Sequence, residues 1–209
     1  MMVFPGMLRE DHHRVLREVA DRGTSNAAAG LSEMVGRKIT IRTPDVLVLS
    51  FADVQKLLGE PEDTVVGVYL AVSGEVEGHI LLLLSPADAK GLVDMVMDLP
   101  QGTTTALGAL ERSALGEVGN LTGSFFLNAL ADLTRLGSHP SPPAVMVDMG
   151  AAVLDVPLTA LARSCDEALV MNTVFSDDQR QIQAFFLVMP DLPSLKAILE
   201  VMESRWQSS

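Results

Sequence analysis

The 209-residue sequence predicts an α/β fold, a pseudo-twofold duplicated domain with a six-stranded, mostly antiparallel sheet and two long parallel-lying helices on one face. Composition is the first observation behind this prediction: 48% of the residues are hydrophobic and 20% are charged, enough apolar sequence for a large core. The second is that the chain matches itself at a fixed offset. The third is that both halves have the same order of helix-like and strand-like segments.

The internal match has two parts. Shifting the chain by 99 residues aligns nine identical residues, which in the first half are Leu16, Glu18, Val19, Ser25, Leu31, Pro44, Val46, Val48 and Val54. Later in each half the offset is 106, and Lys90 then aligns with Lys196. We therefore predict internal repeats at residues 7–98 and 106–205 within one domain of residues 1–209, joined by the linker "DLPQGTTT".

Each repeat begins with a long amphipathic helix. In the second half, apolar residues recur at three- and four-residue steps from Leu110 to Leu133, and the corresponding pattern in the first half runs from Val15 to Met34, with Gly23 at an expected bend.

A short strand is expected next, after Pro44 in the first half and after Pro143 in the second. A hairpin follows, with arms "TVVGVYLAV" and "VEGHILLLL" turning at Ser73-Gly74, or "EALVMNTVF" and "QIQAFFLVM" turning near Asp177-Asp178. Helices predicted at Pro86–Met97 and Leu192–Met202 close the two halves. We expect the strands of both halves to form one sheet, because the strands of an isolated half would leave the edges of their sheet exposed.

Charge and cysteine content limit the environment and the partners. The formal charge of −12 argues against nucleic acid and against an anionic membrane surface, since both require clustered Lys and Arg. The single cysteine, Cys165, cannot form an intramolecular disulfide, and apolar runs such as "ILLLL" are too short to span a bilayer. Because the N-terminal residues also lack a signal-peptide pattern, we expect a cytoplasmic protein.

One edge of the second long helix carries Ser113, Glu117, Asn120 and Ser124, which we call the polar row. These side chains fall within about 60° of one another over roughly three helical turns. Such a row is also common on an ordinary solvated helix edge. The repeat gives it weight, because Glu18 and Asp21 occupy the places of Glu117 and Asn120 in the first half.

The segment "SALGEVGNLTGSFFLNALADLTRLGSHPSPPAVMVDMGAAVL" resembles a signature of the CheC family of chemotaxis phosphatases. That signature has Asp or Ser, three residues, Glu, two residues, Asn, twenty-two residues and Pro, and here Ser113, Glu117, Asn120 and Pro143 keep every spacing. The segments "GTSNAAAGLSEMVGRKITIRTPDV" and "FSDDQRQIQAFFLVMPDLPSL" resemble the family as well, so the resemblance extends over nearly the whole chain.

The resemblance implies an enzyme that removes the aspartyl phosphate from the response regulator CheY in chemotaxis signalling. Such a phosphatase needs no cofactor of its own and no metal site, because the acyl phosphate is labile and the regulator supplies magnesium. In this role Asn120 would hold the attacking water, Glu117 would pair with a regulator lysine, and Ser113 would support them at the rim. Pro143 is expected to be structural.

The first half departs from the signature. Asp21 replaces the asparagine and Arg14 replaces the Asp or Ser, so a second negative charge would stand beside the phosphoryl group. We therefore predict one working site in the second half and a degenerate first site at Glu18 and Asp21.

Two other hypotheses stay open. A non-catalytic adaptor would bind the receptor deamidase CheD, as relatives of this family do, or the flagellar switch, whose proteins contain related domains. A self-contained hydrolase of small molecules ranks last, because no glycine-rich phosphate loop, metal-ligand cluster or activated nucleophile is apparent. His12 and His13 are adjacent on a helix and point in different directions, which argues against a metal site there.

Overall fold

The computed structural model describes residues 10–161 and 167–206. Six helices and seven strands follow one another in these ranges: α1 Glu10–Val35, β1 Thr40–Ser50, α2 Phe51–Leu58, β2 Thr64–Gly74, β3 Gly78–Leu84, α3 Pro86–Val96, α4 Ala109–Thr134, β4 Ser138–Pro140, β5 Ala144–Met149, α5 Gly150–Ala160, β6 Glu167–Ser176, β7 Gln181–Pro190 and α6 Leu192–Trp206. The predicted long helices, hairpins and closing helices are all present. Cys165 lies outside the described residues.

The strands form one sheet in the order β1-β6-β7-β3-β2-β4, and β5 also pairs with β2. Because β4 and β5 follow each other along the same edge of β2, the sheet is six strands wide, and every pairing is antiparallel. The predicted fold class is confirmed.

Each half exchanges its first strand with the other half. Strand β1 pairs with β6 of the second hairpin, while β4 and β5 pair with β2 of the first hairpin. The two hairpins meet in the centre through β3 and β7. The strand order is therefore symmetric about the β3–β7 pair. In each half of the sheet, the edge strand comes from the other half of the sequence.

Apolar residues cover both faces of the sheet. One core lies under α1, α3, α4 and α6 and includes Leu31, Leu92, Leu115 and Ile198. The second core lies under the short helices α2 and α5 and includes Phe51 and Val153. Burial of these two faces is the main stabilising contribution to the fold.

Helices α2 and α5 and the N-terminal part of β1 were not predicted from the sequence. Strand β1 begins at Thr40, before Pro44, and a register shift between Arg42 and Asp45 accommodates the proline. Helix α2 starts with a local signal, because the Ser50 hydroxyl caps the helix by accepting a hydrogen bond from the Asp53 N–H at 3.1 Å. The turn of the first hairpin also lies further along than predicted, after Gly74.

Gly23 does not bend its helix, because α1 runs unbroken from Glu10 to Val35. It instead allows a close approach of α1 to α4, since a Cβ on Gly23 would lie 2.9 Å from the Cα of Phe126.

Helices α1 and α4 both end at a residue with a left-handed backbone conformation. Gly36 follows α1 with φ 74°, and Arg135 caps α4 with φ 65°.

A buried ion-pair network joins the first half to the second hairpin. Asp177, whose side chain is 2% exposed, lies 3.2 Å from Arg37 and 3.0 Å from Arg180. The same arginines donate to the carbonyls of Met95 and Leu99, at 2.6 and 3.1 Å. Burial alone would raise the pKa of Asp177, but the N–H groups of Gln179 and Arg180 and the Arg180 guanidinium lower it below its ordinary value.

We expect Asp177→Ala to lower the free energy of unfolding by about 3 kcal/mol, because two guanidinium groups lose their shared buried acceptor. Because the pKa of Asp177 is lowered in the folded state, its contribution is present at neutral pH and is lost as the pH falls through that folded pKa. Urea denaturation at pH 7 and at acid pH measures both effects. The neighbouring Asp178 is exposed, so Asp178→Ala is the control, and an equal loss from both variants contradicts the role given to Asp177.

Candidate active site on helix α4

Helix α4 lies close to the sheet along a row of glycines. A Cβ on Gly119 would lie 2.5 Å from Val68 Cγ1, and a Cβ on Gly123 would lie 2.7 Å from Leu70 Cδ1, so the helix rests directly on strand β2. Leu115 and Val118 on the same side of the helix are fully buried. This packing fixes the rotation of α4 and turns the polar row away from the sheet.

The polar row is presented to solvent. Ser113 and Glu117 are exposed, and Asn120 and Ser124 are half-buried. Within residues 10–161 and 167–206, none of the four side chains has a hydrogen bond or an ion pair with another protein group. Their polar groups are therefore available to a partner molecule, and Asn120 lies between exposed and buried surface.

Pro143 lies beside the polar row rather than in it. Its ring Cγ is 3.3 Å from the position that a Cβ on Gly116 would take. The preceding loop is held to strand β2, because the Ser141 N–H donates to the Ala71 carbonyl at 2.8 Å and the Ser141 hydroxyl accepts from the Ala71 N–H at 3.0 Å. The proline thus packs on helix α4 at the turn that contains Gly116.

The row of the first half has a different electrostatic setting. Glu18 is exposed and forms an ion pair with Arg22 on its own helix at 3.1 Å, whereas Leu121 stands at the position equivalent to Arg22 in the second half. Asp21 is exposed and lines an open cleft with Arg42. Glu18 therefore already has a local cation, while Glu117 has no ion-pair partner in the described part of the chain.

The histidines have structural surroundings. His12 is buried with its Nε2 3.6 Å from a Glu203 carboxylate oxygen, while His13 is exposed. His79 shares a 2.7 Å hydrogen bond with the Tyr69 hydroxyl, and burial lowers its pKa although Asp191 opposes this. In the part of the chain that the structure describes, no group of three or more His, Cys, Asp or Glu side chains could hold a metal ion.

Comparison with known proteins places the polar row in a recognised segment. A family model described as CheC-like matches residues 110–147, which include Ser113, Glu117, Asn120 and Pro143. The chain is also 29% identical to the CheY-P phosphatase CheC of Bacillus subtilis over 202 residues, which are 95% of this chain and 96% of that protein. The chain is therefore similar to CheC-like proteins over nearly its whole length.

Solved structures share the fold of this chain. FliY of Thermotoga maritima superimposes with a TM-score of 0.75 at 20% identity, covering 94% of this chain and 98% of FliY. The FliM middle domain of H. pylori superimposes with a TM-score of 0.67 at 11% identity, covering 93% and 99%. Among its described residues, the chain has no helix long and apolar enough to cross a membrane.

Sequence reasoning missed the glycines that position the polar row. Gly116, Gly119 and Gly123 stand within the same segment as Glu117 and Asn120, on the neighbouring side of the helix that contacts the sheet. Glycine in a helix interior costs about 1 kcal/mol relative to alanine, so three of them in one helix indicate a close contact. That signal was present in the sequence, but the contacting strand could not be named from it.

We expect Gly119→Ala to destabilise the protein by about 1–3 kcal/mol, although alanine is the better helix former. The added methyl group would overlap Val68, a fully buried β-branched side chain with little freedom to move. Gly91→Ala in α3 is the matched control, because its Cβ would meet only the terminal Cδ1 of Ile182. A melting temperature for Gly119→Ala at or above that of the parent would contradict the close packing of α4.

Proposed function

We propose that the chain dephosphorylates a phosphorylated CheY-type response regulator, acting from the polar row of helix α4. One observation carries the proposal: Glu117 and Asn120 are presented together on a rigidly packed helix, without internal partners among the described residues, in the segment that matches the CheC-like family. The similarity to the CheY-P phosphatase CheC over nearly the whole chain supports the same reaction.

The reaction requires a water to attack the phosphorus of the aspartyl phosphate in line with the bond to the carboxylate oxygen. The P–O bond to the regulator's aspartate breaks, and inorganic phosphate and a free carboxylate are formed. The amide of Asn120 is suited to holding this water, because its oxygen can accept a hydrogen bond and its nitrogen can donate one. The amide also adds no negative charge beside the phosphoryl group. Its half-buried position would limit the directions from which water can approach.

Glu117 is assigned to docking. An exposed carboxylate one helical turn before Asn120 can pair with a lysine of the regulator and so fix how far helix α4 enters the regulator's active site. Ser113, one turn earlier again, supports the contact with a hydroxyl. The regulator supplies the magnesium that neutralises the phosphoryl oxygens, so the chain itself provides only position and charge.

The first-half row is assigned no catalytic role. Asp21 offers no amide donor and would repel the phosphoryl group, and Glu18 is already paired with Arg22. We assign the protein to the cytoplasm, where its substrate would be. We also propose the deamidase CheD as an additional partner, and only the resemblance to the CheC family supports this proposal.

The decisive experiment measures phosphate release from a phosphorylated CheY-type regulator with and without the protein. Stimulated release is the expected result, and binding without stimulation would favour the adaptor hypothesis. Hydrolysis of p-nitrophenyl phosphate in the absence of any regulator would favour the small-molecule hydrolase. Calorimetry with magnesium is expected to show no tight binding to the protein alone, and a stoichiometric tight site would contradict the division of roles.

A further inference from the structure

Large apolar side chains are exposed in the first turn of helix α4 and on strand β5. Leu110 is 63% exposed, the highest value among the exposed large hydrophobic residues of the described chain, and Met149 and Val147 on β5 are 48% and 36% exposed. We call Leu110, Val147 and Met149 the apolar patch. Exposed apolar surface of this kind next to polar groups is typical of a binding site.

The packing of α4 shows that the three residues lie at the same end of the layer. Going toward the N-terminus of α4, Gly123 lies over Leu70, Gly119 over Val68 and Gly116 beside Val145, so the helix runs toward the Thr64 end of strand β2 while it crosses onto β5. Strand β5 follows the same course, because Val145, Val147 and Met149 pair with Val68, Val66 and Thr64.

The patch residues of β5 also face the side of the sheet on which α4 lies. Val145 Cγ2 is 3.7 Å from the Cβ position of Gly116, and alternation along a strand places Val147 and Met149 on that same side. Arg112 bridges the helix and the strand, donating to the Val145 carbonyl at 3.3 Å. The six residues from Gly116 back to Leu110 rise about 9 Å, which lies between the roughly 7 and 13 Å from Val145 to Val147 and Met149.

Leu110 is continuous with the polar row. It precedes Glu117 by seven residues, or about two turns, and therefore points to nearly the same side of the helix. Ser113 lies between them, and both Ser113 and Glu117 are exposed. Apolar surface beside polar and charged groups is the usual arrangement of a protein-binding surface.

We propose that the apolar patch is the docking surface for the response regulator and that Leu110 and Met149 set the affinity for it. This inference rests on the proposed function. It adds that the regulator presents an apolar surface beside the lysine that meets Glu117. The carboxylate of Glu117 favours a partner with a cation beside that surface, while salt weakens the apolar contact little.

The test uses Leu110→Ala, Met149→Ala and their combination. We expect the double variant to raise KM for the phosphorylated regulator about tenfold or more and to leave kcat unchanged, because truncated apolar anchors weaken binding but not the chemical step. The Kd for a regulator carrying beryllofluoride, which mimics the phosphoryl group, should rise by the same factor. Leu110→Met should retain the parent affinity.

Leu47→Ala is the matched control, because Leu47 is 48% exposed on β1 at the opposite edge of the sheet. If the parent hydrolyses the regulator phosphate and the double variant has the same KM and Kd, the docking proposal is wrong and the proposed function stands. If the parent neither hydrolyses nor binds the regulator, both fail. A parent that is dimeric and becomes monomeric in the double variant, with KM unchanged, would assign the patch to a second copy of the chain.

Discussion

Asn120→Ala is expected to reduce stimulated dephosphorylation of the regulator by about a hundredfold or more, while the affinity for the regulator changes little. The expected size of this reduction follows from the loss of one positioned hydrogen-bonding group at the reacting centre. Such a loss typically lowers kcat by two to three orders of magnitude. The fold should persist, because Asn120 has no side-chain partner within residues 10–161 and 167–206 and alanine favours a helix. Single-turnover release of phosphate measures the chemical step directly.

The first half of the chain supplies the control for Asn120. Asp21→Ala should change the rate little, because we assign no water-holding role to Asp21. Asn120→Asp introduces the residue of the first half into the second, and it should be as inactive as Asn120→Ala if the added charge repels the phosphoryl group. Equal losses from Asn120→Ala and Asp21→Ala would rule out the single-site mechanism. A gain of activity in Asp21→Asn would show that the first site is disabled only by its acid.

Glu117→Gln is expected to lower kcat/KM through the loss of the docking ion pair. Glutamine keeps the shape and most of the hydrogen bonding but not the charge, and removing one member of a desolvated ion pair costs roughly 2 to 5 kcal/mol. That corresponds to a loss of about 30-fold to several thousandfold. Glu117→Lys should be worse, because it places a second cation against the regulator's lysine.

Stability measurements separate docking from folding at Glu117. The side chain is exposed and unpaired among the described residues, so circular dichroism and the melting temperature of Glu117→Gln should match the parent. Asp132→Asn, which neutralises another exposed carboxylate of the same helix, should leave kcat/KM unchanged. A lowered melting temperature with full activity per folded molecule would make Glu117 a structural residue.

The elements with strong periodicity were predictable, and the elements defined by tertiary contacts were not. Helix α4 and the second hairpin, with β7 starting at Gln181, agree with the pattern, because the helix buries one continuous face and the hairpin strands are long apolar runs. Helix α5 has no side-chain cap and contains Pro157, so its local sequence does not favour a helix. The helix forms because it buries Val153 against the sheet. The pairing of β1 with the far half has no local signal at all.

The candidate site was predictable to the extent that its chemistry lies in one helix. The spacing of Glu117 and Asn120 places both on one side of α4, and no tertiary information is needed for that. What surrounds the row depends on contacts between distant segments, such as those of Pro143 and Val145 with Gly116. The apolar patch therefore could not be assembled from the sequence.

The exchange of first strands between the halves affects how this chain reaches its folded state. Thr40 pairs with Ser176, 136 residues away, so β1 is synthesised long before its partner. Contacts of such sequence separation close large loops and slow the folding search. Fragments produced by cutting the linker after Asp98 would each lack an edge strand of their sheet, and we expect them to fold by associating with each other rather than alone.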